Sequence, residues 1–286
     1  MNDRAAEGTA EDQSSAIGPA EAARETPPLA GRHIAITRPR RQAADLASRL
    51  EALGAQVTAL PAIAIEPVDD PSQLDVALGE LAIYDWIVFT SANGVLAFER
   101  RLQANALDWT ARQRARVAAI GPATAAALQA EGVTADLVPS EYIAEKLVDT
   151  LGNVAGQRIL LPRADIARET LRDELRLRGA DVNEIAAYRT VAQPLAPELL
   201  ECVLRTERVD AITFTSSSTV RSLIESLRAS DYDPQQALVG IALACIGPIT
   251  AASLRECGLE PGLVAQEYTV AGLVAALVAH YESSAR

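Results

Sequence analysis

The sequence consists of two similar halves, and four segments of the first half recur 125 or 126 residues later. The recurring pairs are 32–57 with 157–182, FTSANGV at 89–95 with FTSSSTV at 214–220, AIGPATAAAL at 119–128 with CIGPITAASL at 245–254, and Glu141-Tyr142 with Glu267-Tyr268. Four matches at one spacing are typical of an internal duplication. Each half is therefore expected to form the same supersecondary structure.

Each half alternates short apolar segments with amphipathic ones. In the first half, strands are predicted near 33–37, 57–60, 85–90, 116–120 and 135–138, and helices near 40–53, 72–82, 94–103, 122–131 and 142–151. The run IVFT at 87–90 is continuously apolar and rich in strand-forming residues, as expected for a strand covered on both faces. The pattern predicts an α/β fold of two flavodoxin-like, doubly wound parallel-sheet lobes. Such sheets bind ligands at the carboxyl ends of their strands, where the repeated motifs fall.

Composition excludes several classes of partner. The net charge of −12 disfavours a nucleic-acid partner, because phosphate binding needs a basic surface. No apolar run approaches the roughly 20 residues of a membrane helix, and no secretory signal opens the chain. Residues 1–30 are rich in Ala, Glu, Pro and Ser and are predicted to form a disordered arm.

The inventory of reactive residues favours an enzyme without a metal or cofactor. The three cysteines all lie in apolar stretches, which indicates core residues in a reducing compartment and predicts a cytoplasmic protein. Only two histidines occur, and no CxxC or HExxH pattern is present, so no metal site is expected. The chain also lacks the GxGxxG, GxxxxGK[ST] and GxSxG loops of nucleotide sites and serine hydrolases, so no cofactor is expected.

Two motifs, IGPAT at 120–124 and IGPIT at 246–250, join a predicted strand to a predicted helix. Gly121 and Gly247 permit the turn, and a proline follows each glycine at the first helical position. The amides of such a helix N-terminus can bind a carboxylate, so both glycines, with Thr124 and Thr250, are candidate substrate-binding residues. The simpler interpretation is a strand-to-helix turn whose threonine caps the helix.

The segments FTSANGV and FTSSSTV place short polar side chains at a second pair of strand ends. Ser91, Asn93, Ser216 and Ser217 can donate hydrogen bonds to a ligand there, and they are candidate substrate-binding residues. The alternative for any one of them is a helix cap.

Arg38 and Arg163 follow the first strand of each half. An arginine at a strand end beside a cleft suits recognition of carboxylates, so both are candidate substrate-binding residues. The alternative is a surface arginine paired with a neighbouring acid such as Asp165.

Tyr188 is the candidate catalytic residue because its counterpart in the other half is Ile63. The fold itself does not require a phenol at this position. With an ordinary pKa of about 10, a tyrosine stays protonated at neutral pH and can donate a hydrogen bond or a proton. The alternative is an aromatic ring packed on the connection between the lobes.

The ordered set of motifs from 31 to about 280 resembles the uroporphyrinogen-III synthases. It comprises ITRP (36–39), YDWIVFTSANGV (84–95), IGPATA (120–125), AAYRT (186–190), ITFTSSSTV (212–220), IGPITA (246–251) and EYTVAGLVAAL (267–277). The resemblance implies a two-stranded linker, formed here by connectors at 63–69 and 187–194. It also implies a discontinuous first lobe, 31–66 plus 192–281, and a second lobe at 70–187.

The resemblance further implies a reaction. These enzymes close hydroxymethylbilane, a linear tetrapyrrole with acetate and propionate arms, into uroporphyrinogen III, with loss of water and inversion of the last pyrrole ring. They use no metal or organic cofactor. A monomer is expected, and a transient contact with the preceding enzyme of the pathway is a further expectation.

Two other functions fit the sequence pattern. Repeated α/β lobes with a hinge also occur in ligand-binding or sensory modules, although the absence of an export signal disfavours a periplasmic receptor. A pseudoenzyme or interaction partner in tetrapyrrole assembly, with the N-terminal arm as its contact segment, is the other alternative.

Overall fold

The structure, a computed structural model, describes residues 27–167 and 169–284. Most of the arm predicted at 1–30 therefore lies outside the described residues. Within 27–30 the chain forms a turn in which Leu29 is fully buried, and the Leu29 N–H donates to the Leu53 carbonyl at 2.9 Å. This corrects the predicted boundary at residue 30: the folded part begins earlier, because Leu29 packs in the core beside the end of the first helix.

The described residues form ten strands and eleven α-helices. The strands are β1 (His33–Ile36), β2 (Gln56–Ala59), β3 (Ile63–Glu66), β4 (Trp86–Phe89), β5 (Arg116–Ala119), β6 (Arg158–Ala164), β7 (Asp181–Ala192), β8 (Ala211–Phe214), β9 (Ala242–Cys245) and β10 (Leu263–Val264). The helices are α1 (Arg40–Ala52), α2 (Ser72–Gly79), α3 (Ala92–Ala104), α4 (Pro122–Ala130), α5 (Ala144–Leu151), α6 (Thr170–Leu177), α7 (Pro197–Glu201), α8 (Ser217–Ala229), α9 (Pro234–Ala237), α10 (Pro248–Glu256) and α11 (Val270–Ser284).

One predicted strand, at 135–138, is reduced to a single parallel bridge between Ala118 and Leu137. Asp136 lies next to this bridge. Its side-chain carboxylate accepts the Val117 N–H at 2.7 Å, a position that a main-chain carbonyl would occupy in a regular ladder. The other strands and helices predicted for the first half are present, with ends shifted by a few residues.

The strands form two sheets, which confirms the predicted α/β architecture with two parallel-sheet lobes. The first sheet is parallel in the order β2-β1-β8-β9-β10, which is the flavodoxin-like order 2-1-3-4-5 in chain sequence. The second has the order β3-β7-β6-β4-β5 and is parallel except for the edge strand β3. We call the first sheet with α1 and α7–α11 the first lobe, and the second sheet with α2–α6 the second lobe.

The two halves of the sequence exchange their first βαβ units. Strands β1 and β2, from the first half, pair beside β8 of the second half. Strands β6 and β7, from the second half, pair beside β4 of the first half. Each sheet therefore combines strands from both repeats, as the resemblance implies and the repeat alone does not.

Both faces of each sheet are covered by helices. In the first lobe Ile34 and Ile36 join a buried cluster with Leu46 of α1, whereas Ala35, which points the other way, joins a cluster with Leu223 of α8. The second sheet is buried between two clusters in the same way. All four residues of β1 are buried because no face of this strand meets water.

A two-stranded linker joins the lobes, also as predicted. Strand β3 pairs antiparallel with the end of β7, from Ile63 opposite Ala192 to Glu66 opposite Arg189. Up to Tyr188 the same strand β7 pairs in parallel with β6, so the linker is a direct continuation of the second sheet. The hydroxyl of Ser222 on α8 donates to the Ala62 carbonyl, which attaches the linker to the first lobe.

Substitution of Leu29 tests whether residues 27–30 belong to the folded first lobe. Leu29→Ala removes a fully buried side chain, so it is expected to lower the free energy of unfolding by about 2–5 kcal/mol. The matched control is Leu177→Ala, at a leucine that is 81% exposed, which is expected to change it by less than about 0.5 kcal/mol. Denaturant unfolding of both full-length variants measures the difference, and equal midpoints would show that the turn does not pack on the lobe.

Candidate active site

The carboxyl ends of the strands in both sheets surround a cavity of about 380 Å³, which we call the motif cavity. Of the predicted substrate-binding residues, it is lined by Arg163, Ser216, Ser217, Gly247 and Thr250. Thr90 and Thr215, from the two FTS motifs, also line it. The structure thus brings repeated motifs of both lobes together around one space.

The two IGP motifs form helix N-termini without a side-chain cap. Gly121 and Gly247 occupy the cap positions of α4 and α10 in extended backbone, and neither helix has a side-chain cap hydrogen bond. Thr124 and Thr250 are buried in the first turns. The cap position of each helix is thus occupied by glycine, and the threonine is the third residue of the helix. Gly121 and Thr124 do not line the motif cavity, in contrast to their counterparts Gly247 and Thr250.

The two FTS motifs do provide caps. Ser91 Oγ accepts the Gly94 N–H at 3.0 Å at the start of α3, and Ser216 Oγ accepts the Thr219 N–H at 3.3 Å at the start of α8. Capping is therefore one role of these two serines. Ser91 has a second partner, because its Oγ also lies 2.9 Å from the Tyr188 hydroxyl.

Tyr188 lies where β7 passes from the second sheet into the linker, beside a register shift between Arg163 and Ala164. Its side chain is only 7% exposed, and it lines a second cavity of about 510 Å³, which we call the linker cavity. Burial raises the pKa of the phenol above its ordinary value, against the hydrogen bond between Ser91 and the phenol, which lowers it. The group therefore keeps its proton at neutral pH.

The linker cavity lies between α1, the linker and α3 and was not predicted. Its wall is partly apolar, with Ile63, Ile65 and Leu96, and Arg40 and Arg100 also line it in exposed positions. Asn93 is the one predicted substrate-binding residue in this wall. An apolar wall with exposed guanidinium groups suits an aromatic ligand that carries carboxylates.

The two predicted arginines have different surroundings. Arg163 lines the motif cavity, and its Nη1 donates to Glu184 at 2.8 Å; the alternative of a surface arginine had named Asp165 as one example of an acidic partner. Arg38 lines neither of these two cavities. Its Nη2 lies 3.4 Å from Gln42 Oε1, and burial lowers the pKa of its guanidinium against an opposing effect of Asp45.

Two tyrosines that sequence reasoning did not select line the motif cavity, one from each lobe. A Cβ atom added at Gly121 would lie 3.1 Å from the ring of Tyr142, and one added at Gly247 would lie 3.2 Å from the ring of Tyr268. The glycines thus give the rings room beside the helix N-termini. The recurrence of Glu-Tyr in both halves was the available signal.

Within the described residues, no helix has the length and apolar character that crossing a membrane requires. In the same part of the chain, no three His, Cys, Asp or Glu side chains are grouped so as to hold a metal ion.

Comparison with known proteins agrees with the motifs. The family model described as "Uroporphyrinogen-III synthase HemD" matches residues 44–275. The uroporphyrinogen-III synthase of Synechococcus elongatus is 37% identical over 253 residues, which cover 87% of this chain and 96% of that protein.

Two solved structures have the same fold. A mutant uroporphyrinogen III synthase from Thermus thermophilus has a TM-score of 0.61 at 24% identity, and the match covers 88% of this chain and 99% of that one. The enzyme from Helicobacter pylori has a TM-score of 0.55 at 17% identity, with 89% and 100% covered. The family match and the sequence relative confirm the resemblance seen in the motifs: this chain belongs to the uroporphyrinogen-III synthase family.

Proposed function

We propose that the protein closes hydroxymethylbilane to uroporphyrinogen III in the space between its lobes, and that Tyr188 assists departure of the terminal hydroxyl. Membership of the family supports the reaction. The observation that carries the role of Tyr188 is its position: a buried, protonated phenol at the junction of the linker and the second sheet, within 2.9 Å of a second hydroxyl.

The chemistry needs little covalent help from the protein. The first pyrrole ring supplies electrons from its nitrogen, the bond to the terminal hydroxyl breaks, and an electrophilic methylene remains. A phenol is a much stronger acid than water, so it can donate a hydrogen bond or a proton to the departing hydroxide. The last ring then attacks through its substituted carbon, and the resulting spiro intermediate opens and recloses with that ring inverted.

Binding has to hold a flexible, polyanionic chain in one shape. The protein carries a net charge of −12, so the carboxylate arms need local positive groups. The uncapped N-terminus of α10 lines the motif cavity, and Arg40 and Arg100 line the linker cavity. Ordered donors of this kind orient the reacting carbons without the cost of reorganising water.

Closure of the lobes about the linker is part of the proposal. The linker consists of two paired strands, and it is attached to α8 through the hydrogen bond from Ser222 to Ala62. Closure over the substrate would exclude water from the reactive methylene. Identical scattering curves with and without bound product would contradict this closure.

We also infer that the enzyme acts as a cytoplasmic monomer that receives its substrate by transient contact with the preceding enzyme. The three cysteines are all free, which suits a reducing compartment. Rapid transfer would be useful because hydroxymethylbilane also closes spontaneously, without inversion of the last ring. No cofactor enters the proposal.

The decisive assay adds the purified protein to freshly made hydroxymethylbilane and identifies the isomer formed. An excess of the inverted isomer over the spontaneous product is the expected result. The uninverted isomer alone would contradict the proposed activity.

Tyr188→Phe tests the catalytic role. Removing the proton donor is expected to lower kcat by about 100-fold, with KM changed by less than about threefold. Tyr232→Phe is the matched control, because Tyr232 lies in the first lobe and lines neither cavity. If Tyr188→Phe retains full turnover and the same product isomer, Tyr188 has no role in departure of the hydroxyl.

Gly247→Ala tests binding at the N-terminus of α10. The backbone there is extended, so alanine brings no strain of its own, but its methyl group would press on the ring of Tyr268 at 3.2 Å. KM is expected to rise about tenfold, equivalent to about 1.4 kcal/mol of binding. Gly79→Ala, where an added Cβ meets nothing within 4 Å, is the control and is expected to leave KM unchanged. Equal KM values for the two variants would remove this site from the binding surface.

A further inference from the structure

A chain of polar side chains crosses from the first lobe to the second lobe in the cavity that Tyr188 lines. It begins at Arg38, just after β1, and continues to Gln42 in the first turn of α1. Gln42 Nε2 donates to Asn93 Oδ1 in the first turn of α3, which belongs to the second lobe. Gln42, Asn93 and Tyr188 all line the linker cavity, so this contact between lobes lies at the proposed site.

The direction of these hydrogen bonds follows from the donor-only nature of arginine. A guanidinium group has no acceptor, so the Gln42 atom that faces it at 3.4 Å must be the carbonyl Oε1. In the opposite orientation of the Gln42 amide, its NH2 group would face the N–H groups of Arg38, and neither group could accept a hydrogen bond. With Oε1 towards Arg38, the Gln42 NH2 group faces Asn93 and takes the Asn93 carbonyl as its acceptor. The NH2 group of Asn93 is then left as its donor for a further partner.

The Tyr188 phenol lies in the wall of the same cavity as Asn93, and the Asn93 amide lowers the pKa of this phenol. Ser91 Oγ, which accepts the Gly94 N–H, also lies 2.9 Å from the hydroxyl oxygen of Tyr188. An N–H group directed at the phenol oxygen stabilises the negative charge that develops there as the proton leaves.

We propose that Gln42 is a positioning residue, which orients the Asn93 amide so that its NH2 group supports Tyr188 as a proton donor when the lobes are together. This inference rests on the proposed role of Tyr188. As the carbon–oxygen bond of the substrate breaks, the phenol proton passes to the departing hydroxide to form water, and the Asn93 NH2 group stabilises the phenolate. The proton that the tetrapyrrole releases when its rings regain aromaticity returns to the phenolate.

The same series of side chains couples closure of the lobes to departure of the substrate hydroxyl. Arg38 and Gln42 belong to the first lobe, Asn93 and Ser91 to the second, and Tyr188 to the strand that leads into the linker. The Asn93 amide is held in one orientation only while the start of α1 lies against the start of α3. In an open enzyme Tyr188 is therefore a less effective acid. The reactive methylene then does not form while the site is in contact with water.

Two substitutions of Gln42 separate orientation from simple contact. Gln42→Glu keeps the partner of Arg38 but has no N–H for Asn93, so the Asn93 amide turns and presents its carbonyl to the phenol. Gln42→Met removes the hydrogen bonds without reversing the amide. We expect kcat to fall by about tenfold for Gln42→Glu and by about threefold for Gln42→Met, with KM within about twofold of wild type.

The pKa of Tyr188 gives a readout that does not depend on activity. Titration of ¹³C-labelled tyrosine in the full chain, with Tyr188→Phe to assign the signal, should give a higher pKa in Gln42→Met than in wild type and the highest in Gln42→Glu. If Gln42 had a purely structural role, Gln42→Met would change kcat and the pKa of Tyr188 more than Gln42→Glu does, because Gln42→Glu retains the pairing with Arg38. Gln236→Glu, at an exposed glutamine of α9, makes the same charge change remotely and should alter neither quantity.

The double variant distinguishes failure of this inference from failure of the proposed function. In a Tyr188→Phe background, Gln42→Glu should cause no further fall in kcat, because its effect acts through the phenol. An undiminished kcat for Tyr188→Phe alone overturns the proposed function. If Tyr188→Phe has a low kcat but Gln42→Glu keeps the wild-type kcat and the wild-type pKa of Tyr188, only the positioning role is overturned. Additive effects of the two substitutions in the double variant would also overturn only the positioning role.

Discussion

The antiparallel pairing of β3 with the end of β7 is the interaction on which the arrangement of the site depends. Strand β7 first serves as a parallel strand of the second sheet and then, without a break, becomes half of the linker. Tyr188 lies at that change of partner, so its position is fixed by the second sheet while its surroundings include the first lobe. Because β7 continues from the second sheet into the linker, Tyr188 lies at the junction of the two lobes.

The internal duplication predicted the two-sheet fold well, because buried parallel strands leave a strong apolar signal in the sequence. The exchange of βαβ units could not be obtained that way, since a repeat identifies which units are alike and not which ones pair. That arrangement came from the resemblance to a family. Tyr188 was selected as a candidate for a related reason. Its counterpart in the other repeat is Ile63, so the fold itself does not require a phenol at this position.

Site details that depend on strand register were beyond sequence reasoning. Arg163 pairs with Glu184 because β6 and β7 are neighbours, whereas Asp165 lies nearer in sequence but accepts the Thr190 N–H instead. Gln42 was missed because its partner Asn93 is on a helix of the other lobe. Side-chain contacts between lobes depend on the lobe arrangement, and no local pattern encodes them.

The exchange of βαβ units has a consequence for the order in which the chain can fold during synthesis. Strands β1 and β2 emerge first, but their neighbour β8 begins only at Ala211, after the whole second lobe has been made. The second lobe lies between β2 and β8 in the sequence. Its sheet can therefore form while β1 still lacks its neighbour β8. Contacts so distant in sequence form slowly, and an apolar strand that waits for them is exposed to aggregation. A newly made chain thus passes through a stage in which one lobe is complete and the apolar strand HIAI of the other still needs protection.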